Sequence, residues 1–152
     1  MKELIVIITA ASPILELRGA IPLAMGFFGF SIEKAIFLSF LGNILPIIPL
    51  LIFLEKFSNF LIKKSVFFQK FFDWLFEKTR KKFKGSYLKW GKIALVIFVA
   101  IPFPFTGAWT GTIASFLFGI KKKEAFGLIT LGVLIAGIIV LLFTNLGINI
   151  LK

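Results

Sequence analysis

Apolar residues run along this chain in four long blocks, and polar residues gather between them. The blocks cover residues 4–30, 35–54, 93–119 and 125–146. A simple membrane-crossing helix needs about 20 apolar residues, so every block is long enough. Blocks two and four read as uninterrupted spans, although Gly42, Asn43, Pro46 and Pro49 punctuate the second and Gly127, Gly132 and Gly137 the fourth. Blocks one and three are broken at their centres, by Pro13, Glu16, Arg18, Gly19 and Pro22 and by Pro102, Pro104, Gly107 and Gly111. The break in block one leaves arms over 4–12 and 20–30. As helix these arms measure ~14 and ~16 Å, each about half of a ~30 Å hydrocarbon core. The broken blocks therefore predict re-entrant helical hairpins whose tips meet near the midplane. Irregular backbone at that depth is tolerated only where protein or a water-filled cavity surrounds it.

Residues 55–92 differ in kind. Phe57, Phe60, Leu61, Phe68, Phe71, Phe72 and Leu75 fall at helical spacing, and Lys56, Lys63, Lys70 and Glu77 recur every seven residues on another side. The pattern over Lys56–Lys78 predicts an amphipathic helix in the membrane interface. Lys78–Lys84 reads as a solvated turn that Gly85 ends. Eleven Lys/Arg against three acids give residues 55–92 a net charge of +8, out of +11 for the whole chain. Such a block beside apolar spans faces the cytoplasm and anionic headgroups. Its aromatic residues lie on an amphipathic face rather than forming a stacking platform, so nucleic acid is not the expected partner. If the first hairpin enters and leaves on the outside, 35–54 runs inward. The second hairpin then dips in from the cytoplasm and returns to Lys121–Lys123, leaving residues 55–92 and 121–124 inside.

The two halves repeat. Gly19-Ala20 overlies Gly107-Ala108 at an offset of 88, and an offset of 90 sets Ala35 on Ala125, Leu41-Gly42 on Leu131-Gly132, and Ile48, Leu51 and Phe53 on Ile138, Leu141 and Phe143. The expected fold is an all-α integral membrane protein in one domain, residues 1–152. It has two inverted repeats, 1–54 and 93–152, each a re-entrant hairpin followed by a transmembrane helix, joined by the amphipathic segment 55–92. Breaks at corresponding places in two halves point to a transporter site.

Composition agrees. Of 152 residues 59% are hydrophobic, 21 of them Phe spread along the chain, and the mean hydropathy is +1.00. Without Cys or His, thiol chemistry, disulfides and ordinary zinc sites fall away. There is no P-loop, GxSxG motif or paired carboxylate. No enzyme activity, cofactor or metal is expected. The N-terminus does not read as a signal peptide, because Pro13, Glu16 and Arg18 interrupt the region that would carry the cleavage site.

Glu16 and Arg18 are the only charges inside the apolar blocks. Ionisable groups at such depth are costly and mark pathways or relays. Two residues apart on a helix they would diverge, whereas extended backbone at a break sets them on one side. The Arg18 guanidinium suits a phosphate or carboxylate, and Glu16 is the candidate proton carrier; a structural ion pair between the hairpins is the alternative. Thr106, Trp109 and Thr110 occupy the second tip. The two hydroxyls suit a substrate or ion, or carbonyls freed by Pro102 and Pro104, and Trp109 suits stacking or filling. Asn43 is a candidate interhelical donor. Pro13, Pro22, Pro102 and Pro104 are the expected tip breakers, with Gly19 and Gly107 allowing close approach. The candidate binding set is thus Glu16, Arg18, Gly19, Asn43, Thr106, Gly107, Trp109 and Thr110.

Three motifs carry a family resemblance: Ser12-Pro-Ile-Leu-Glu-Leu-Arg-Gly-Ala-Ile-Pro22, then Gly42-Asn43 with Pro46, then Pro102-Phe-Pro-Phe-Thr-Gly-Ala-Trp-Thr-Gly111. Over nearly its whole length the chain resembles the small multidrug export protein family, related to the DedA, or VTT-domain, membrane proteins. The resemblance implies paired re-entrant hairpins with acidic and arginine residues as working groups, which Glu16 and Arg18 fit. It also implies proton-dependent transport, since DedA-like proteins include recyclers of undecaprenyl phosphate and related eukaryotic proteins scramble phospholipids. At the second tip the chain departs from that pattern, with Thr106 where DedA proteins usually offer arginine. The expected function is movement of an anionic lipid or small amphipathic substrate by a homodimer or higher oligomer. The alternative is a scaffold that binds anionic lipid or protein partners through its basic segment.

Overall fold

The computed structural model describes residues 1–81, 86–103 and 106–150, and these are helical almost throughout, with no strand among them. Helix α1 covers Lys2–Ala11, and Ser12 ends it in an extended conformation while its hydroxyl bonds back to the Thr9 carbonyl at 2.9 Å. Pro13 follows in the turn, where it has no N–H to offer. Helix α2 covers Glu16–Pro22 and runs on through a π-helical turn, Leu23–Phe27. The second arm therefore starts at Glu16, four residues earlier than expected. Pro22 does not break it; the wider turn that follows absorbs the missing donor.

Both second arms end alike. After α2, Gly29 takes a positive φ of 66° and the Phe30 N–H reaches back to the Ala24 carbonyl at 2.9 Å. After α7, Ala108–Leu117, Gly119 has φ 68° and the Ile120 N–H bonds Ser115 O at 3.0 Å. These are left-handed helix stops, where glycine carries no Cβ penalty.

Helix α3 (Ile32–Ile44) starts on a Ser31 cap and α4 covers Ile47–Lys64. Neither Pro46 nor Pro49 can donate to the preceding turn, so the helix interrupts at Leu45-Pro46. Helix α4 then passes the expected end at 54 because no breaker comes before Ser65. There the extended Ser65 closes α4, and its hydroxyl accepts the Phe67 N–H at 3.3 Å to open α5, Val66–Lys81. One amphipathic helix over Lys56–Lys78 is thus replaced by two helices meeting at Ser65, and Lys78–Lys81 are helical rather than a turn. Gly85 lies outside the described residues. Helix α6 is Ser86–Ala100 and α8 is Lys122–Ile150.

Among the described residues, two stretches are long and apolar enough to cross a membrane, Ile32–Lys64 and Lys122–Ile150. With the family match below, they make this a membrane protein. Helix α8 is built inside out relative to a soluble core helix. It buries Gly132, Val133, Ala136, Gly137 and Val140, and it exposes Leu131, Leu134, Ile138, Leu142 and Phe143. Small residues inward permit close helix approach, and large ones outward suit lipid.

Helix α1 packs on α3, and α6 packs on α8, in the same manner. A Cβ on Gly42 would lie 2.4 Å from the Ile7 carbonyl oxygen, and one on Gly132 would lie 2.6 Å from Val99 Cβ and 3.0 Å from Val96 O. Ion pairs mark where each broken block begins and ends. Glu3 meets Lys34 at 2.7 Å, so the two ends of the first broken block lie together. Lys92 meets Glu124, and Glu55 meets Lys122. Helices α2, α3, α4, α6, α7 and α8 share one core around Leu17, Ile21, Ile47, Leu51, Leu95, Val99, Ala108, Ile129 and Val133. The two breaks come together beside that core.

Candidate functional site at the two helix breaks

The second break runs from Ile101 to Gly107. Residues before a proline are pushed out of helical geometry, so Ile101 and Phe103 turn their carbonyls out of any ladder. Thr106 answers them. Its hydroxyl lies 2.5 Å from Ile101 O and 2.8 Å from Phe103 O, and it accepts the Phe103 N–H at 3.2 Å. Of the two roles open to that hydroxyl, the structure places it on freed carbonyls. Gly107 then turns the chain into α7 with φ 142°, a region open to glycine. Pro102 lies in this loop; Pro104 lies outside the described residues.

Glu16 also carries a positive φ, 48°, unusual for a residue with a Cβ. That backbone, not an extended strand, brings its carboxylate round to Arg18, with Oε2 at 3.4 Å from Nη2. Glu16 is only 4% exposed. Its Oε1 accepts the backbone N–H of Trp109 at 3.3 Å. Trp109 is the second residue of α7, and Gly107 at the cap position has no side chain to offer. The first N–H groups of a helix have no partner within it and carry partial positive charge. A carboxylate from the other break thus caps α7. Gly107 makes the room: a Cβ there would lie 2.0 Å from Glu16 Oε2.

Arg18 donates through Nη1 to Phe103 O and through Nη2 to Thr106 O. In return the Trp109 indole N–H donates to Ala11 O at 3.1 Å, a carbonyl left over at the end of α1. Each break thus ties off backbone groups of the other. Trp109 acts here through its two N–H groups.

A small cavity of about 10 Å³ sits at this junction, lined by Glu16, Arg18, Asn43, Thr106, Gly107 and apolar neighbours. Asn43 is 2% exposed, and its Oδ1 has no hydrogen-bond partner among the described residues. Of the eight candidate binding residues, Glu16, Arg18, Asn43, Thr106, Gly107 and Trp109 converge. Gly19 instead makes room for Leu15 of its own turn, and the Thr110 hydroxyl returns to Gly107 O at 3.4 Å. The acceptors Ala11 O and Thr106 O carry no mark in the residue pattern, whereas the prolines at 102 and 104 signal freed carbonyls, here Ile101 O and Phe103 O.

Residues 16–139 match the model of the family described as "Putative small multi-drug export protein". No curated protein and no solved structure gives a significant match.

Proposed function

The chain belongs to this family of small multidrug export membrane proteins, and from that membership and the junction of the breaks we propose a DedA-like transporter. It moves an anionic lipid or small amphipathic substrate across the membrane, coupled to a proton or another ion through Glu16. The observation that carries the reading is a buried carboxylate, Glu16, paired with the half-buried Arg18 guanidinium where two helix breaks meet. Intramembrane ionisable groups mark pathways, and broken helices in paired halves hold transporter sites.

The proposed architecture is two inverted repeats, residues 1–54 and 93–152, with re-entrant hairpins α1–α2 and α6–α7. Supporting it are the contact between Glu3 and Lys34, that between Lys92 and Glu124, and the matching stops at Gly29 and Gly119, 90 positions apart. Residues 55–92 and 121–124 face the cytoplasm of a multi-pass cell-membrane protein. Two spans and two hairpins make a thin wall, so the working unit is a homodimer or higher oligomer.

The test is flux in proteoliposomes carrying candidate anionic lipids and drugs, with and without a pH gradient. Glu16→Gln and Arg18→Ala should lose flux while still inserting. Unchanged flux in both refutes the reading. A rival, the lipid- or protein-binding scaffold, draws on α5, where Val66, Phe67, Phe71 and Trp74 are exposed beside Lys70. Lost vesicle or partner binding on removing the α5 lysines, with no flux in wild type, would favour it.

A further inference from the structure

We infer that Glu16 is a proton-operated plug: ionised, its carboxylate fills an anion cradle formed by the start of α7 and Arg18; protonated, it turns its O–H to Asn43 and yields that cradle to the phosphate- or carboxylate-type head of a substrate. The inference rests on the transport reading for its biological meaning and on the geometry of the junction for its chemistry.

Three observations converge. The start of α7, a ten-residue helix, presents N–H groups and the positive end of the peptide dipoles, which together bind anions. Arg18 stands beside them with a planar fork that suits two anionic oxygens. At present both serve one carboxylate of the same chain, Arg18 through an Nη2 N–H while it also donates to Phe103 O and Thr106 O. Glu16 thus holds the position where an external anion would gain the most.

Asn43 supplies the second position. Its Oδ1 is a pure acceptor, almost fully buried, without a partner among the described residues, and it lines the same cavity as Glu16. An orphaned buried acceptor costs free energy until a donor arrives. Ionised Glu16 has no donor to give, whereas protonated Glu16 has one. The cavity, at about 10 Å³, has room for about one water, which is the scale of a carboxyl group turning about its last torsions. Among the described residues, the only charged side chain lining it besides Glu16 is Arg18, so no other titratable group among them competes there for the proton. When the carboxyl turns away, the Trp109 N–H and one Arg18 N–H lose their acceptor together and an incoming anion supplies a new one. The exchange takes up one proton and one anionic group, and the cradle keeps its charge balance.

Anion binding by purified protein in nanodiscs tests this without requiring flux. The probes are radiolabelled inorganic phosphate and, separately, a phosphatidate added to the disc, which tell a free anion from a lipid head. Wild-type binding should strengthen as pH falls. Glu16→Gln, which keeps a donor for Asn43 and loses the charge, should bind about tenfold or more tightly at alkaline pH and lose the pH dependence, a factor matching one charge-assisted contact. Arg18→Lys in the Glu16→Gln background should weaken binding, and Asn43→Val should weaken it only at low pH in the otherwise wild-type chain. Glu16→Gln binding neither probe more tightly than wild type overturns the inference, as does wild-type binding that ignores pH. Should the binding switch appear while proteoliposomes carry no flux, the transport reading fails and the plug stands.

Discussion

Replacing Gly107 by alanine adds one methyl group at the most crowded point of the junction. The new Cβ would stand 2.0 Å from Glu16 Oε2, 2.7 Å from its Cδ and 2.8 Å from Oε1. The carboxyl therefore has to leave. Two costs add. Holding alanine at a φ of 142° strains the backbone by about 1–3 kcal/mol. Evicting Glu16 leaves Arg18 without its anion in a largely buried setting, which typically costs about 3–5 kcal/mol. The sum, about 4–8 kcal/mol, approaches the whole stability of an ordinary domain, about 5–15 kcal/mol. Thermal or denaturant unfolding of protein in nanodiscs measures it, with Gly127→Ala as control. That glycine lies inside α8, and a methyl there would meet nothing within 4 Å, so alanine should stay within about 1 kcal/mol of wild type, on the stabilising side. A cycle with Glu16→Ala isolates the clash. Once the carboxylate is gone only the backbone strain of Gly107→Ala remains, so the double variant should be less destabilised than the two singles summed, by about 3–5 kcal/mol. Simple additivity, or a Gly107→Ala protein as stable as wild type, would refute the view that Glu16 occupies the space Gly107 leaves open.

Three further expectations follow from the same contacts. Arg18→Ala takes the counter-charge from the Glu16 carboxylate and one donor each from Phe103 O and Thr106 O and should cost about 3–5 kcal/mol in the same unfolding assay; lysine, with a point charge in place of a fork, should rescue less than half. Trp109→Phe keeps an aromatic ring, a smaller one, and loses the donor to Ala11 O, a loss of about 1–3 kcal/mol from the hydrogen bond alone, read by faster backbone hydrogen exchange near the end of α1. Gly42→Ala and Gly132→Ala each press a methyl against the neighbouring arm and should each destabilise by about 1–3 kcal/mol; unequal effects would argue against equivalent packing in the two halves.

The broken blocks, the breaks at Pro13 and Pro102, and the burial of Glu16 are legible in the sequence because each rests on one local fact: a missing N–H, or a charge in an apolar run. Gly29 and Gly119 lie at the offset of 90 read between the two halves, though a glycine letter alone does not mark a helix stop. What stays hidden depends on conformation rather than residue type. Nothing in the letters assigns Glu16 a positive φ, so extended backbone is the expected route to Arg18. Thr106 reads as a hydroxyl, whereas it offers Arg18 its carbonyl and spends the hydroxyl on the loop. Trp109 reads as a ring and serves through its N–H groups. Ser65 is inconspicuous because periodicity continues smoothly from Phe60 to Phe68, and only the double capping role of one serine stops the helix there.

The bonds between the breaks join residues far apart in the order of synthesis. Arg18 and Thr106 are separated by 88 positions. At about 5–20 residues per second, the first break waits on the order of 4–18 seconds after Arg18 is made before its partner exists. During that interval Glu16 and Arg18 have only each other, and the Ala11 carbonyl lacks the Trp109 N–H. A nascent chain stalled short of Trp109 would carry the carboxylate, the guanidinium and the Ala11 carbonyl without the partners that the second break supplies.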